Sequence, residues 1–319
     1  MIWYSFKPVD TLFFRGGEPM EMGESHAFSI IFPPSVQTIS GALRTAVLKQ
    51  NNIDINDYYS NSSSLEEIIR IIGKAGETAS FSITGPLLRK NKEIFFPAPY
   101  SWFYSGEEGC NGKNTNSLTF ETEIKKLKKI ESPLINFPRN IYWLKSGSEK
   151  LESAGGLWVS SKDLFSSSSN IRLYKPGYFY SLEERTGIAL ENRMVRESHI
   201  YSAVHVRMHE DADIIFAVNT GLPISDKGIL MLGGEQRFGS YSVMENADNI
   251  LPEKQEGELW LSIAPVPAGK VNSENIAAAG KPVFTGGWDM KKRFHKDMTG
   301  FYPAGSVFDK KINSNTILI

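Results

Sequence analysis

The segment Leu232-Gly233-Gly234-Glu235-Gln236-Arg237-Phe238-Gly239-Ser240-Tyr241 carries the residue types with the clearest chemistry in this chain. Glycines lack a Cβ and let backbone N–H groups turn toward a bound phosphate. Arg237 can add a bidentate charge, and Phe238 or Tyr241 a stacking face. A tight turn would use the same glycines, so both readings stand at this point. No Gly-Lys-Ser/Thr ending follows, so the segment is not a nucleoside triphosphate loop.

Catalytic signatures are otherwise missing. The chain has no G-x-S-x-G, H-E-x-x-H, G-x-x-x-x-G-K-[ST] or G-x-G-x-x-G pattern, and no catalytic residue, cofactor or metal is expected. His209, Asp211 and Asp213 invite a metal reading, but His205 and His209 on one strand would lie about 13 Å apart at roughly 3.3 Å per residue, so a solvated hairpin turn is the expectation. The Lys125-Lys126 and Lys128-Lys129 pairs read as solvated faces. His26, in a Gly-containing loop, supports the alternative of a metal-independent endoribonuclease, because imidazole titrates where both a general base and a general acid are needed.

Several elements are expected to position these residues. Ile2, Tyr4 and Phe6 alternate with Trp3, Ser5 and Lys7 and stop at Pro8, which predicts a half-buried opening strand. Ser35 is an N-cap candidate ahead of Val36, Ile39, Leu43, Ala46 and Val47, predicting an amphipathic helix to about Gln50. Gln37, Gly41 and Arg44 share one flank of it, where a glycine lets another backbone approach. Residues Asn51 to Ser63 read as polar and turn-rich. Ser64 to Glu67 has the capping-box pattern before a second helix that stops at Gly73.

Ser80 to Thr84 and Ile94 to Phe96, separated by Lys90-Asn91-Lys92, predict a hairpin. A second is predicted from Ile200 to Met208 and Ile214 to Val218 around Glu210-Asp211. Ser105 to Ser132 and Ser146 to Asn170 read as loops or insertions outside any core. Pro223 to Leu232 is too short to assign as helix or strand, while Ser240 to Val243, Leu259 to Ile263 and Val307-Phe308 read as strands. The class is therefore α+β with antiparallel sheets and surface insertions, in two units, 1–174 and 175–319. Trp3 and Phe103 are candidate interface residues.

The chain has 319 residues, 41% hydrophobic, enough for real cores, and a net charge of -1 that gives no bulk attraction to polyanions, so any anion site must be a local patch. The single Cys110 allows neither an internal disulfide nor a Cys-rich metal site. The N-terminus lacks a basic region followed by an apolar block, and no apolar run approaches the roughly 18 residues of a membrane span. A cytoplasmic protein with no membrane partner is the expectation.

Three segments resemble the RAMP superfamily of CRISPR-associated RNA-binding proteins: Asp10 to Pro19, Phe32 to Thr45, and the Gly-rich loop. Glu184-Arg185-Thr186-Gly187-Ile188-Ala189-Leu190, Gly287 to Lys292 and Pro303 to Phe308 resemble more specifically the third-subunit family of the Cmr complex, the type III-B effector. The resemblance implies two ferredoxin-like (RRM-like) units and a non-catalytic RNA-binding and assembly role in antiviral defence. It implies as partners the 5′ tag of the crRNA, the large polymerase-palm subunit and a neighbouring RAMP backbone subunit. The RNA-binding candidates are Arg15, Thr38, Gly41, Arg44, Gly233, Gly234, Arg237, Phe238, Gly239, Ser240, Lys291, Lys292 and Arg293. One departure is Glu235, an acid in the implied anion loop, which would repel phosphate, orient Arg237 or contact a partner.

Overall fold

The computed structural model describes residues 1–14, 16, 30–106, 117–130, 140–144, 147–191, 194–245, 247, 250–252, 257–289, 292 and 294–319, without the side chains of 187–202, 288–289 and 295. β1 (Ile2–Pro8) opens the chain. After it comes α1 (Val36–Gln50), whose start is capped as expected: the Ser35 hydroxyl accepts the Thr38 N–H at 3.2 Å.

The turn-rich stretch after α1 holds a helix that its polarity concealed, α2 (Ile55–Ser60), started by the Asp54 carboxylate accepting the Asn56 N–H at 2.7 Å. α3 (Glu66–Ile72) follows and ends at Gly73, with φ +85. Its expected capping box does not form, because Ser63 to Leu65 make a 3₁₀ turn and the Ser64 hydroxyl bonds that of Ser62 at 2.9 Å.

The first hairpin forms, but its first strand is not Ser80 to Thr84: β2 (Ile83–Lys90) starts later and runs to the turn, where Asn91 and Lys92 at φ 50 and 68 join it to β3 (Glu93–Pro97). Both segments assigned to insertions contribute to the core. β4 (Thr119–Glu123), β5 (Trp158–Ser160) and β6 (Asn170–Tyr174), which starts at the last residue of the second segment, extend the main sheet, and Ile124, Trp158 and Val159 within the two segments are buried. Around β4 the apolar Leu118, Phe120 and Ile124 fall at even positions among Thr and Glu, and β5 offers only the pair Trp158-Val159, so average composition hid both.

The second hairpin is also paired differently. β7 (Tyr180–Glu191) and β8 (Met194–Met208) make a long antiparallel ribbon. β9 (Ala212–Val218) follows the predicted turn but joins another sheet, between β1 and β2. The reason is burial: Ile214 to Val218 are fully enclosed on both faces, which a two-stranded ribbon cannot provide. The ambiguous stretch before Leu232 is a strand, β10 (Lys227–Met231), paired with β11 (Phe238–Val243).

The main sheet has nine strands in the order β10-β11-β1-β9-β2-β3-β5-β6-β4. The boundary expected near Tyr174 does not separate sheets, since strands from both sides of it interleave here. β1 and β2 are each antiparallel to β9, hence parallel to one another, and β11 is antiparallel to β1 on its other side.

Tyr4, Phe6 and Phe216 pack beneath Ile39, Leu43 and Val47 of α1. On the opposite face Trp3, Leu87 and Ile215 pack against Leu261, Val307 and Ile317 of a small four-stranded sheet. β1 is therefore buried on both faces rather than half-buried, and Trp3, 6% exposed, is core and not a free interface residue. With 18% helix, 39% strand and predominantly antiparallel pairing the class is α+β. Among the described residues no helix is long and apolar enough to cross a membrane.

Candidate nucleic-acid interface

The Gly-rich loop is the tip joining β10 to β11, and most of its glycine chemistry faces the chain itself. The Gly234 N–H donates to the Phe13 carbonyl at 2.8 Å, the Arg237 N–H to the Gly234 carbonyl at 3.2 Å, and the Leu232 N–H to the Arg237 carbonyl at 2.9 Å. A Cβ on Gly233, at φ +95, would sit 2.6 Å from the Phe13 carbonyl oxygen, and one on Gly234 2.9 Å from the Phe13 ring. These glycines exist so that the loop can lie on Phe13. The expectation that their amides are held out to a polyanion is corrected accordingly for Gly234 and Arg237, whose N–H groups are used internally.

Arg237 lies at the centre of an ionic network. Its guanidinium reaches Asp10 at 3.1 Å and Glu235 at 3.3 Å, so Glu235 orients the arginine. Asp10 also pairs with Arg207 at 3.1 Å and Arg185 at 3.4 Å, and Glu183 with Arg207 at 2.7 Å and Arg185 at 2.8 Å. Strand alternation explains the convergence: 181, 183 and 185 of β7 and 203, 205 and 207 of β8 face the same way across the ribbon. The Leu12–Val206 bridge then fastens that ribbon beside the end of β1. Three arginines and three carboxylates balance, so the patch is dense in charge without being a net cation.

Partial burial opposes the charge on Asp10, but the Thr11 amide and the flanking Arg185 and Arg207 outweigh it and hold the carboxyl below its usual range. Hydrogen bonds from Arg207 and Arg185 do the same for Glu183. His205 is 1% exposed, stacks on Phe13 with ring centroids 5.1 Å apart, and shares a hydrogen bond with the Thr11 hydroxyl at 3.1 Å. Burial pushes its pKa down, and although Glu235 opposes this, Arg237 and Arg185 push the same way.

A proton therefore binds His205 more readily in the unfolded chain, and stability falls as pH drops through the ordinary imidazole value of 6.5. His205→Gln should flatten the pH dependence of the unfolding midpoint between about pH 7 and 5.5. An unchanged slope in that variant would contradict the role.

Other expected site residues are placed as follows. The Thr38 amide and hydroxyl are engaged with the Ser35 hydroxyl in the helix cap. Arg44 is half-buried and donates to the Ile72 carbonyl at 2.8 Å and the Glu77 carbonyl at 2.9 Å, stitching the end of α3 to α1. Gly41 is exposed, and a Cβ added there would meet nothing within 4 Å among the described residues, so none of their backbone approaches it. Phe238 and Ser240 are exposed, whereas Gly239 is buried against β1.

Tyr241 is no stacking face: it is buried, with its hydroxyl bonded to Gln50 at 2.8 Å and the Ser225 carbonyl at 3.0 Å. Lys292 is exposed and engaged in an interaction. Arg15, His26, Lys291 and Arg293 lie outside the described residues.

His209 bonds the Tyr178 carbonyl and Lys90, Asp211 pairs with Lys90 at 3.0 Å, and Asp213 pairs with Arg89. Among the described residues no group of three His, Cys, Asp or Glu side chains is arranged to hold a metal. The residues that sequence reasoning missed are Asp10, Glu183, Arg185, His205 and Arg207. Period-two placement of charge on 183, 185 and 207 was a usable signal, but nothing in it pointed to Asp10.

A family model described as CRISPR-associated protein (Cas_Cmr3) matches residues 4–314. One similar solved chain, in the cryo-EM structure of the Type III-B Cmr-beta bound to cognate target RNA, has TM-score 0.56 and 17% identity, covering 97% of this chain and 86% of that one. A second, in the same assembly bound to cognate target RNA and AMPPnP, has TM-score 0.55 and 16% identity, covering 96% and 85%. No curated protein matches the chain.

Proposed function

The chain belongs to the Cas_Cmr3 family of CRISPR-associated proteins, and as such is a subunit of a type III effector complex; from that premise we propose that it is the non-catalytic subunit that holds the 5′ tag of the crRNA. In this reading it pairs with the large polymerase-palm subunit and with a neighbouring RAMP backbone subunit, in the cytoplasm. The observation that carries the proposal is the family match along nearly the whole chain.

The geometry supplies a location: Arg185, Arg207 and Arg237 converge beside exposed Phe238 at the foot of the long ribbon. Carboxylates that neutralise the arginines in the free chain hold them in one place for phosphate.

The fold part of the proposal is that β1, α1, β2, β9 and β11 form a ferredoxin-like unit. Their sheet order, β11-β1-β9-β2, and their directions are those of a β-α-β crossover with a third strand between and a fourth at the edge. Residues 91–211 are then one large insertion after its second strand, and β10 stands where the second helix would lie.

RNA affinity is expected to fall linearly in log–log terms with salt, by about 0.7 per phosphate contacted. Crosslinking a labelled crRNA in the assembled complex should give peptides from 183–207 and 232–241. Salt-independent association, or no crosslink to this chain, would count against the reading. Metal-free cleavage of repeat RNA that disappears in His26→Ala would replace it with the endoribonuclease alternative. Gly41→Ala gives a separate check: in the free chain it should stabilise by about 0.5–1 kcal/mol, as alanine for glycine within an exposed helix face. If the flank is approached by RNA or a partner, assembly should weaken in the same variant.

A further inference from the structure

The hairpin formed by Val283–Thr285 and Thr299–Tyr302 is anchored at its root by buried Phe301, paired with Pro267 on one side and Val283 on the other. Beyond that root both faces are open. Alternation turns Val283 and Phe284 opposite ways, yet they are 40% and 61% exposed, and Met298 is 52% exposed. Three glycines make one face flat. A Cβ on Gly300 would sit 3.2 Å from the Phe284 ring, one on Gly286 3.4 Å from the Met298 Sδ, and one on Gly287 3.5 Å from the Lys296 Cδ, so each of these side chains lies across a glycine. The result is a shelf of phenyl ring, thioether and lysine stem. Lys281 and Lys296 are exposed and have no acid paired with them among the described residues. With Lys292 they outnumber Asp297, the one acid between 281 and 299 whose side chain is described. Val283–Thr285 is also the last strand of its three-stranded sheet, with Thr299–Tyr302 as its one described neighbour.

We propose that this shelf docks a neighbouring protein subunit of the effector complex, through an apolar surface of that subunit rimmed by carboxylates that meet Lys281 and Lys296. The inference rests on membership of the complex and not on the crRNA reading. Soluble chains reserve adjoining exposed apolar side chains for binding, and three features select a protein as the occupant. Phe and Met are the residue types enriched at the buried centre of protein interfaces, and a flexible thioether fits an irregular surface. Val283 and Met298 offer no plane on which a base could stack. The outer edge of Val283–Thr285 presents backbone groups that a strand of another protein can pair with, whereas a polynucleotide cannot extend the ladder. Unpaired lysines beside the apolar shelf set the complementary charge. Such rim charges govern approach and register, while Phe284 supplies the affinity.

The test takes full-length wild type, Phe284→Asp and Lys296→Glu, and measures assembly with the remaining subunits by mass photometry and crRNA binding of the chain alone by fluorescence anisotropy. Phe284→Asp should weaken assembly by about tenfold or more, as the loss of a central anchor does. Lys296→Glu should weaken it less, mainly through slower association, and the difference should shrink in high salt. Carbodiimide coupling, which joins an amine directly to a carboxylate, should link Lys281 or Lys296 to a peptide of another subunit. Both substituted side chains are exposed, so Tm and the crRNA affinity of the chain alone should stay at their wild-type values. Assembly within about twofold of wild type in both variants, with no linked peptide, overturns the proposal. So does a fall in the RNA affinity of the chain alone with assembly intact, which gives the shelf to RNA. If wild type binds no crRNA while Phe284→Asp still impairs assembly, the crRNA reading falls and this one stands.

Discussion

Alanine at Gly239 should cost about 3 kcal/mol and displace the hairpin that carries the Gly-rich loop. The added Cβ would lie 2.3 Å from the Lys7 carbonyl oxygen, 2.6 Å from the Phe6 ring and 2.7 Å from the Pro8 Cα. Two of these three are backbone atoms of β1, which cannot rotate away as a side-chain tip does. Relief requires β11 to move off β1, opening Lys7↔Ser240 and Pro8↔Gly239 in the ladder. Overpacking of a filled site costs typically 1–3 kcal/mol, and a clash against backbone belongs at the upper end.

At about 1.5 °C per kcal/mol for a chain of 319 residues the expected fall in Tm is about 4–5 °C. The ionic network should loosen with it, because Arg237 and Phe238 immediately precede the displaced residue. A Gly239→Ala protein melting within a degree of wild type would show that β11 does not pack this closely on β1.

Phe216→Ala should be the more damaging core substitution, at about 3–5 kcal/mol against a total stability of about 5–15 kcal/mol. Phe216 is fully buried in β9 and stacks on Tyr4 with centroids 5.8 Å apart. β9 is the strand that joins β1 to β2 within the main sheet, so a cavity at Phe216 lies under α1 and across the join at once. Urea unfolding should show a lower midpoint with an unchanged slope. A midpoint shift equivalent to less than about 1 kcal/mol would mean that α1 does not bury this face.

Elements whose cause is local were legible beforehand. Ser35 and the Val36, Ile39, Leu43 spacing specify α1 and its start because cap and periodicity lie within a few residues. The same holds for the Asn91-Lys92 turn, where two positive-φ residues close β2 on β3. The strands hidden in polar stretches were not legible, since Trp158 and Val159 become core only once β3 and β6 flank them. Nor was the pairing of β9, a run that can neighbour any strand able to cover both its faces.

The candidate site divides in the same way. Arg237 and the glycines stand out in the sequence, and so did the option that Glu235 orients Arg237, which the 3.3 Å contact realises. Asp10 did not stand out, because its partners Arg185 and Arg237 lie 175 and 227 residues away along the chain. By itself the amino-acid order determined the start of α1, the turn at Asn91-Lys92, the α+β class and the family, because the signals for each are carried by short runs of residues. Only the tertiary structure decided which strands meet, that the loop glycines serve packing on Phe13 and β1, and that one aspartate gathers three arginines. Those outcomes depend on distances between residues that become neighbours only when β1, the ribbon and the β10–β11 hairpin close on one another.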